Sequence, residues 1–149
     1  MSAHKETEGS EAARDGKPCG DGGELSLLRT RVKREPQDAR GVFCLGRAYF
    51  ERGMWDMCIR TLIRHLSMPG AVLADERCES MTYIARAYEK RGGAGNAEKW
   101  YFRAAAEAAH MPKPFTELSR FLKERGDGEG AAYFLRRARE IEKSSGREG

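Results

Sequence analysis

Leu45-Gly46-Arg47-Ala48-Tyr49, running on into Glu51-Arg52-Gly53, is the stretch on which the reading of this chain turns. Arg47-Ala48-Tyr49 returns 39 residues later as Arg86-Ala87-Tyr88, and the same register falls on Arg120-Phe121-Leu122 after a further 34. Glu51-Arg52-Gly53 keeps step as Lys90-Arg91-Gly92 and Glu124-Arg125-Gly126. A glycine at a fixed offset beyond an apolar periodic run marks a helix end, because glycine takes left-handed dihedrals without steric cost. Five residues past each glycine stands a small side chain, Cys58, Ala97 or Ala131, with Leu62, Tyr101 or Leu135 four further on. That i, i+4 spacing puts a small and a large contact on one helical face, so a second helix can lie close against the first. The unit is a helical hairpin in three copies, and fixed-period self-similarity signals a solenoid.

Working outward, the helices read as Ala39 to Arg52 with Trp55 to Ser67, Asp75 to Arg91 with Asn96 to Ala109, and Phe115 to Arg125 with Glu129 to Lys143. Pro112 and Pro114 read as a break before the fifth of these. An earlier helix, Leu25 to Glu35, stops before Pro36 and offers Leu28 and Val32 to the first pair. The longer first step places an inserted loop around Met68 to Leu73. Gly92, Gly93 and Gly95 weaken the second turn, which is expected to be mobile. The fold expected is all-α: a right-handed solenoid of antiparallel helix pairs, about 39–67, 75–109 and 115–143, with a preceding helix, together spanning 25–143. Residues 1–24 lack a large apolar residue after Met1 and read as a disordered polar tail; 144–149 read as a flexible end.

Val42-x2-Leu45-Gly46-x2-Tyr49 with Cys58-x3-Leu62 resembles the tetratricopeptide signature, valine replacing its first tryptophan. A narrower resemblance covers Leu25 to Ile141. Pro36-Gln37-Asp38-Ala39-Arg40, Met68-Pro69-Gly70-Ala71, Asp75-Glu76-Arg77-Cys78-Glu79 and Gly126-Asp127-Gly128-Glu129-Gly130-Ala131 resemble the helical-repeat region that follows the catalytic domain of bacterial family 2 glycosyltransferases. Those enzymes carry an acidic D-x-D metal motif in the preceding domain, and no D-x-D occurs in this sequence. The resemblance therefore implies a repeat region without its catalytic half, an accessory or remnant whose partner is a separate glycosyltransferase chain.

Composition fits a folded module with solvated helix faces: 40% of residues are hydrophobic and 34% charged. No apolar run reaches the roughly 18 residues of a membrane span, and the N-terminal residues are too polar for a secretory signal, so a soluble cytoplasmic protein is expected. The net charge of +4 divides unevenly, −3 in residues 1–24 and +7 in the rest. A basic body favours acidic partners. Nucleic acid is disfavoured, because basic residues alternate with acidic ones and no exposed stacking platform is evident. Cys19, Cys44, Cys58 and Cys78 form no C-x-x-C pair and read as free thiols, with no metal site. No phosphate-binding loop, G-x-S-x-G, H-E-x-x-H or G-x-G-x-x-G motif is present, so neither a cofactor nor an enzyme activity is indicated. His4, His65 and His110 are far apart in sequence, and His65 stands where the other pairs have Ala104 and Ala138, a helix contact.

The first helices of such pairs line the concave side of a solenoid. Arg47, Arg86 and Arg120 share one register there, each one residue after Gly46, Ala85 or Ser119, small residues that permit close helix approach. A ladder of guanidiniums offers forked donors to carboxylates. Phe43, Thr82 and Thr116 lie one turn earlier; Arg40, Glu79 and Lys113 stand near one end, and Phe50, Glu89 and Lys123 near the other. Phe43 and Phe50 would be apolar anchors. The expected function is a non-catalytic interaction scaffold whose basic groove takes an acidic or carboxylate-bearing peptide. The competing expectation is that these arginines pair with Glu51, Glu79, Glu89 or Glu124 and stack the repeats. Arg64, Arg103 and Arg137 repeat on the second helices and should face outward; Trp55, Trp100 and Tyr101 should belong to the core.

Overall fold

The computed structural model describes residues 24–148, which form seven helices and no strand. The expectations for His4, Cys19 and the polar N-terminal tail fall outside the described residues. The helices are α1 Leu25–Arg34, α2 Ala39–Glu51, α3 Trp55–Ser67, α4 Ala74–Arg91, α5 Ala94–Glu107, α6 Pro112–Glu124 and α7 Gly128–Glu148. Pairing is α2 with α3, α4 with α5 and α6 with α7, while α1 packs on α2.

The turns inside the pairs share one construction. Gly53, Gly92 and Gly126 have φ of 73°, 94° and 90°, the left-handed conformation that a side chain would strain. In each, the next amide reaches back five residues, Met54 N to Tyr49 O, Gly93 N to Tyr88 O and Asp127 N to Leu122 O, at 2.9, 2.7 and 2.8 Å. This pattern satisfies carbonyls that a helix end leaves open. Asp127 then caps α7, its Oδ1 accepting from Gly130 N at 2.9 Å.

Close approach of paired helices is visible atom by atom. A Cβ built on Gly46 would lie 2.2 Å from Leu62 Cδ2. Ala85 is fully buried in the second pair, and in the third Ser119 donates to Ala131 O at 2.6 Å. Two apolar clusters result. The first runs from α1 through α4 around Val42, Leu62, Met81 and Ile84, and takes in Ala104 of α5. The second runs from α4 through α7 around Tyr101, Leu118 and Phe121. Trp55 and Trp100 are half-buried against these clusters.

The inserted loop is tied down. Arg77 donates to Leu66 O at 2.9 Å and Ala71 O at 3.1 Å, and pairs with Glu107 at 2.7 Å. The loop's last two residues, Val72 and Leu73, are apolar and exposed.

Several boundaries and one thiol differ from the sequence reading; helix α5, for one, ends at Glu107 rather than Ala109. Pro112 and Pro114 do not break the chain before α6 but form its first turn, where a missing N–H costs nothing. Helix α5 begins at Ala94 rather than Asn96, so the second turn shrinks to Gly92 and Gly93 and is as tight as the others. Helix α7 continues past Lys143 to Glu148, because serine and a glycine outside the left-handed region weaken a helix without ending it. Cys58 and Cys78 are free and buried, whereas Cys44 is disulfide-bonded. No helix among the described residues is long and apolar enough to cross a membrane.

Candidate interaction surface

The first helices α2, α4 and α6 touch in succession and make one inner face. Their register aligns Arg40 with Glu79 and Lys113, Arg47 with Arg86 and Arg120, and Glu51 with Lys90 and Glu124.

The arginines differ sharply in how far they are neutralised. Arg120 is saturated: its Nη2 lies 2.9 Å from Glu89 Oε1 and 2.7 Å from Tyr101 Oη, its Nη1 lies 2.7 Å from Glu124, and Glu117 is 3.8 Å from Nε. The buried phenol of Tyr101 also donates to Glu89. Burial alone would raise the Glu89 pKa, but hydrogen bonds from Arg120 and Tyr101 bring it below the usual range. The same burial, together with the Glu89 carboxylate, pushes the Tyr101 phenol up. Arg86 has one acid, Glu117, at 2.7 Å in the next pair. Burial works against its charge, and the Glu117 bond outweighs it, raising its pKa. Arg47 has Glu51 on its own helix at 3.6 Å, and its Nε is shielded from solvent without a hydrogen bond. Glu51, Glu89 and Glu124 thus pair as the competing expectation holds; Glu79 makes no ion pair among the described residues, and Glu117 takes the role unforeseen.

The other candidates separate in the same way. Phe43 is 2% exposed and packs its ring 5.4 Å from that of His65, so it belongs to the core and not to the groove surface. Its position in the helix turns it toward α3 and α4 instead of outward. Phe50 is half-buried, its ring 5.1 Å from Trp55 and 5.0 Å from Tyr83. Thr82 is buried with its hydroxyl spent on Cys78 O at 2.9 Å, and Thr116 is exposed with its hydroxyl on Pro112 O at 3.3 Å. Lys123 is exposed. On the second helices, Arg64 and Arg103 are exposed and Arg137 is half-buried; Arg64 bonds Pro36 O at 3.1 Å and Arg103 stacks 4.7 Å over Trp100.

Between α4 and α6 the inner face opens into a cleft of about 40 Å³ lined by Glu79, Thr82, Tyr83, Arg86 and Lys113. Lys113 is exposed and has no carboxylate within ion-pair distance among the described residues. Sequence gives Tyr83 no mark of its own, because an aromatic at helical spacing reads as core. Burial raises its pKa, while the charges of Arg47 and Arg86 act to lower it.

A buried polar chain lies behind the first junction. His65 is fully buried, with Nδ1 3.0 Å from Ser80 Oγ and Nε2 3.2 Å from Glu76 Oε1, and Arg40 pairs with the other Glu76 oxygen at 2.5 Å. An acid, a histidine and a serine in line form the order of a hydrolytic triad, yet Ser80 is itself 0% exposed, so no substrate meets its hydroxyl. Burial would raise the Glu76 pKa, and hydrogen bonds from His65 and Arg40 hold it below the usual range. The chain is a clasp between α2, α3 and α4. No group of three or more metal-ligating side chains comes together among the described residues.

No protein-family model matches the chain, and neither does any curated protein. Solved structures do. A crystal structure of MamA protein superposes with a TM-score of 0.71 at 18% identity, covering 93% of this chain and 72% of that one. A second, MamA MSR-1 C2, gives 0.63 at 16% identity, covering 81% and 67%. MamA is a tetratricopeptide-like helical repeat protein, and at this identity the likeness shows the fold: an all-α helix-pair solenoid. The chain spans about two thirds of the length of that second MamA chain. A glycosyltransferase likeness is not among these findings.

Proposed function

We propose that this solenoid is a non-catalytic interaction scaffold whose inner face, at the cleft between α4 and α6, binds an acidic or carboxylate-bearing segment of a protein partner. The observation that carries this reading is Lys113: an exposed ammonium, with no ion-paired acid among the described residues, at the rim of a cleft walled by Arg86 and Tyr83. The cleft is sized for one polar group rather than a small-molecule substrate. Glu79 on the same rim sets direction, since it repels a second carboxylate and favours a donor at that end.

A place beside a separate glycosyltransferase chain is supported by the sequence resemblance alone. Its most specific residues have local duties in this chain: Glu76 in the buried clasp, Arg77 in the loop, and Cys78 in the core. The inner-face reading is therefore preferred.

Lys113→Glu tests it. The residue is exposed and forms no ion pair among the described residues, so the fold should be unaffected. Affinity for an acidic peptide obtained by selection on the wild-type chain should fall roughly tenfold or more, while Arg64→Glu on the outer side leaves it unchanged. Equal binding by wild type and Lys113→Glu would sink the reading.

A further inference from the structure

The ion pairs of the inner face thin out toward the first pair, and the repeat register shows what is missing. Arg120 reaches back to Glu89 in the preceding pair; Arg86 reaches forward to Glu117 in the following one. Shifted by one repeat, Glu89 becomes Phe50 and Glu117 becomes Tyr83. The junction between the second and third pairs thus holds two carboxylates between its arginines, and the junction between the first and second holds two aromatic rings, packed with centroids 5.0 Å apart. Lys90 also replaces the acid that Arg47 and Arg120 have four residues on. Among the described residues Arg47 consequently pairs with no acid from the neighbouring helix pair, and 27% of its side chain remains exposed.

We propose that the carboxylate absent from this junction is supplied by the partner: an Asp or Glu side chain seats between Arg47 and Arg86 at the Tyr83 phenol, with an adjacent apolar residue resting on the Phe50 and Tyr83 rings. The proposal rests on the inner-face reading and adds a second acid seat on the other side of Tyr83, at the junction between the first and second pairs. Arg47 supplies a forked, charge-assisted donor, Arg86 supplies the Nη1 edge that its bonds to Glu117 leave open, and the phenol supplies a third. The ligand is a single carboxylate rather than a phosphate, because Glu51 lies 3.6 Å from Arg47 and Glu79 lines the cleft with Tyr83 and Arg86, and two such acids penalise a dianion more than a monoanion. The aromatic floor gives the site a requirement that an ionic ladder lacks, an apolar neighbour to the acid.

The experiment selects random dodecapeptides displayed on phage against the full chain and measures the best, fluorescein-labelled, by anisotropy. Selected peptides should carry Asp or Glu next to an aliphatic or aromatic residue. Tyr83→Glu restores the missing acid from within. It should weaken binding roughly tenfold to a hundredfold, with circular dichroism still helical. Arg47→Gln, which keeps the helix and removes the charge, should also weaken it. Tyr83→Glu and Arg47→Gln binding within about twofold of wild type would overturn the assignment. Loss of binding in Lys113→Glu alone would then leave the inner-face reading standing, and its retention there too would remove both. Tighter binding of the same peptide with phosphoserine in place of the acid would overturn the choice of carboxylate.

Discussion

A methyl group on Gly46 would have to share space with Leu62, whose Cδ2 and Cγ lie 2.2 and 2.5 Å from where it would stand. Alanine in a helix gains up to about 1 kcal/mol over glycine, but overpacking a tight contact costs ~1–3 kcal/mol. At Gly46 the second effect wins, because Leu62 is itself fully buried and cannot swing aside. Gly95, inside α5, meets nothing within 4 Å and shows the first effect unopposed. Gly46→Ala is expected to lower the urea midpoint and Gly95→Ala to raise it by the equivalent of ~0.5–1 kcal/mol. Two changes of the same sign would refute the packing account of Gly46. Sequence already marked Gly46, Ala85 and Ser119 as contact positions, since a small residue at the same offset in every pair is what close helix approach requires. It could not mark Tyr83, because core and groove aromatics share one helical period and differ only in which neighbour faces them.

Between elements, the two junctions are held by different chemistry, and that difference gives a pH dependence. Glu76 joins α4 to Arg40 on α2 and His65 on α3. Its pKa in the folded state is depressed below 4.5, so its contribution to stability is complete above the unfolded value and is lost as pH falls through the folded one. Glu89, depressed by Arg120 and Tyr101 after burial is overcome, adds to the same acid limb at the other junction. Glu76→Gln should cost ~1–3 kcal/mol at neutral pH, since the charged acceptor that Arg40 and His65 share becomes a neutral amide. The gap to wild type should narrow as pH falls from the unfolded carboxylate value through the depressed folded one, below which the wild-type carboxylate is protonated as well. Circular dichroism melts across pH 3 to 7 measure this, and a gap independent of pH would contradict the ionic role. The elements themselves were legible from glycine spacing and apolar period. Their ends were less so: proline reads as a stop, yet Pro112 and Pro114 begin α6, because the first turn of a helix asks for no amide hydrogen.

At the scale of the whole chain, a solenoid is stable as a sum of units and nearest-neighbour contacts, so its weakest junction sets how it first opens. Helix α5 packs less extensively on α6 than α3 does on α4, and the two apolar clusters meet along α4 and α5, with Tyr88 and Trp100 bordering both. The third pair is tied to the rest by the second apolar cluster, in which the Tyr101 and Phe121 rings lie 5.0 Å apart, and by the polar node of Arg120, Glu89, Tyr101 and Glu117. Sequence displayed the arginine ladder but not this duty, since Glu117 and Tyr101 meet Arg120 only once the helices are stacked. Arg120→Ala takes the cation out of the node while leaving every contact of α2 with α3 in place. Amides of α6 and α7 should then exchange roughly tenfold to a hundredfold faster in native-state hydrogen exchange, through an opening that leaves α2 and α3 protected. Buried Cys58, its thiol pushed up to about 12 by burial, reports the same thing chemically: alkylation at neutral pH should stay as slow in Arg120→Ala as in wild type, since α3 lies outside the part that opens. If α2 and α3 lost protection together with α6 and α7, the chain would be a single cooperative unit, and the node would stabilise the whole molecule rather than one junction.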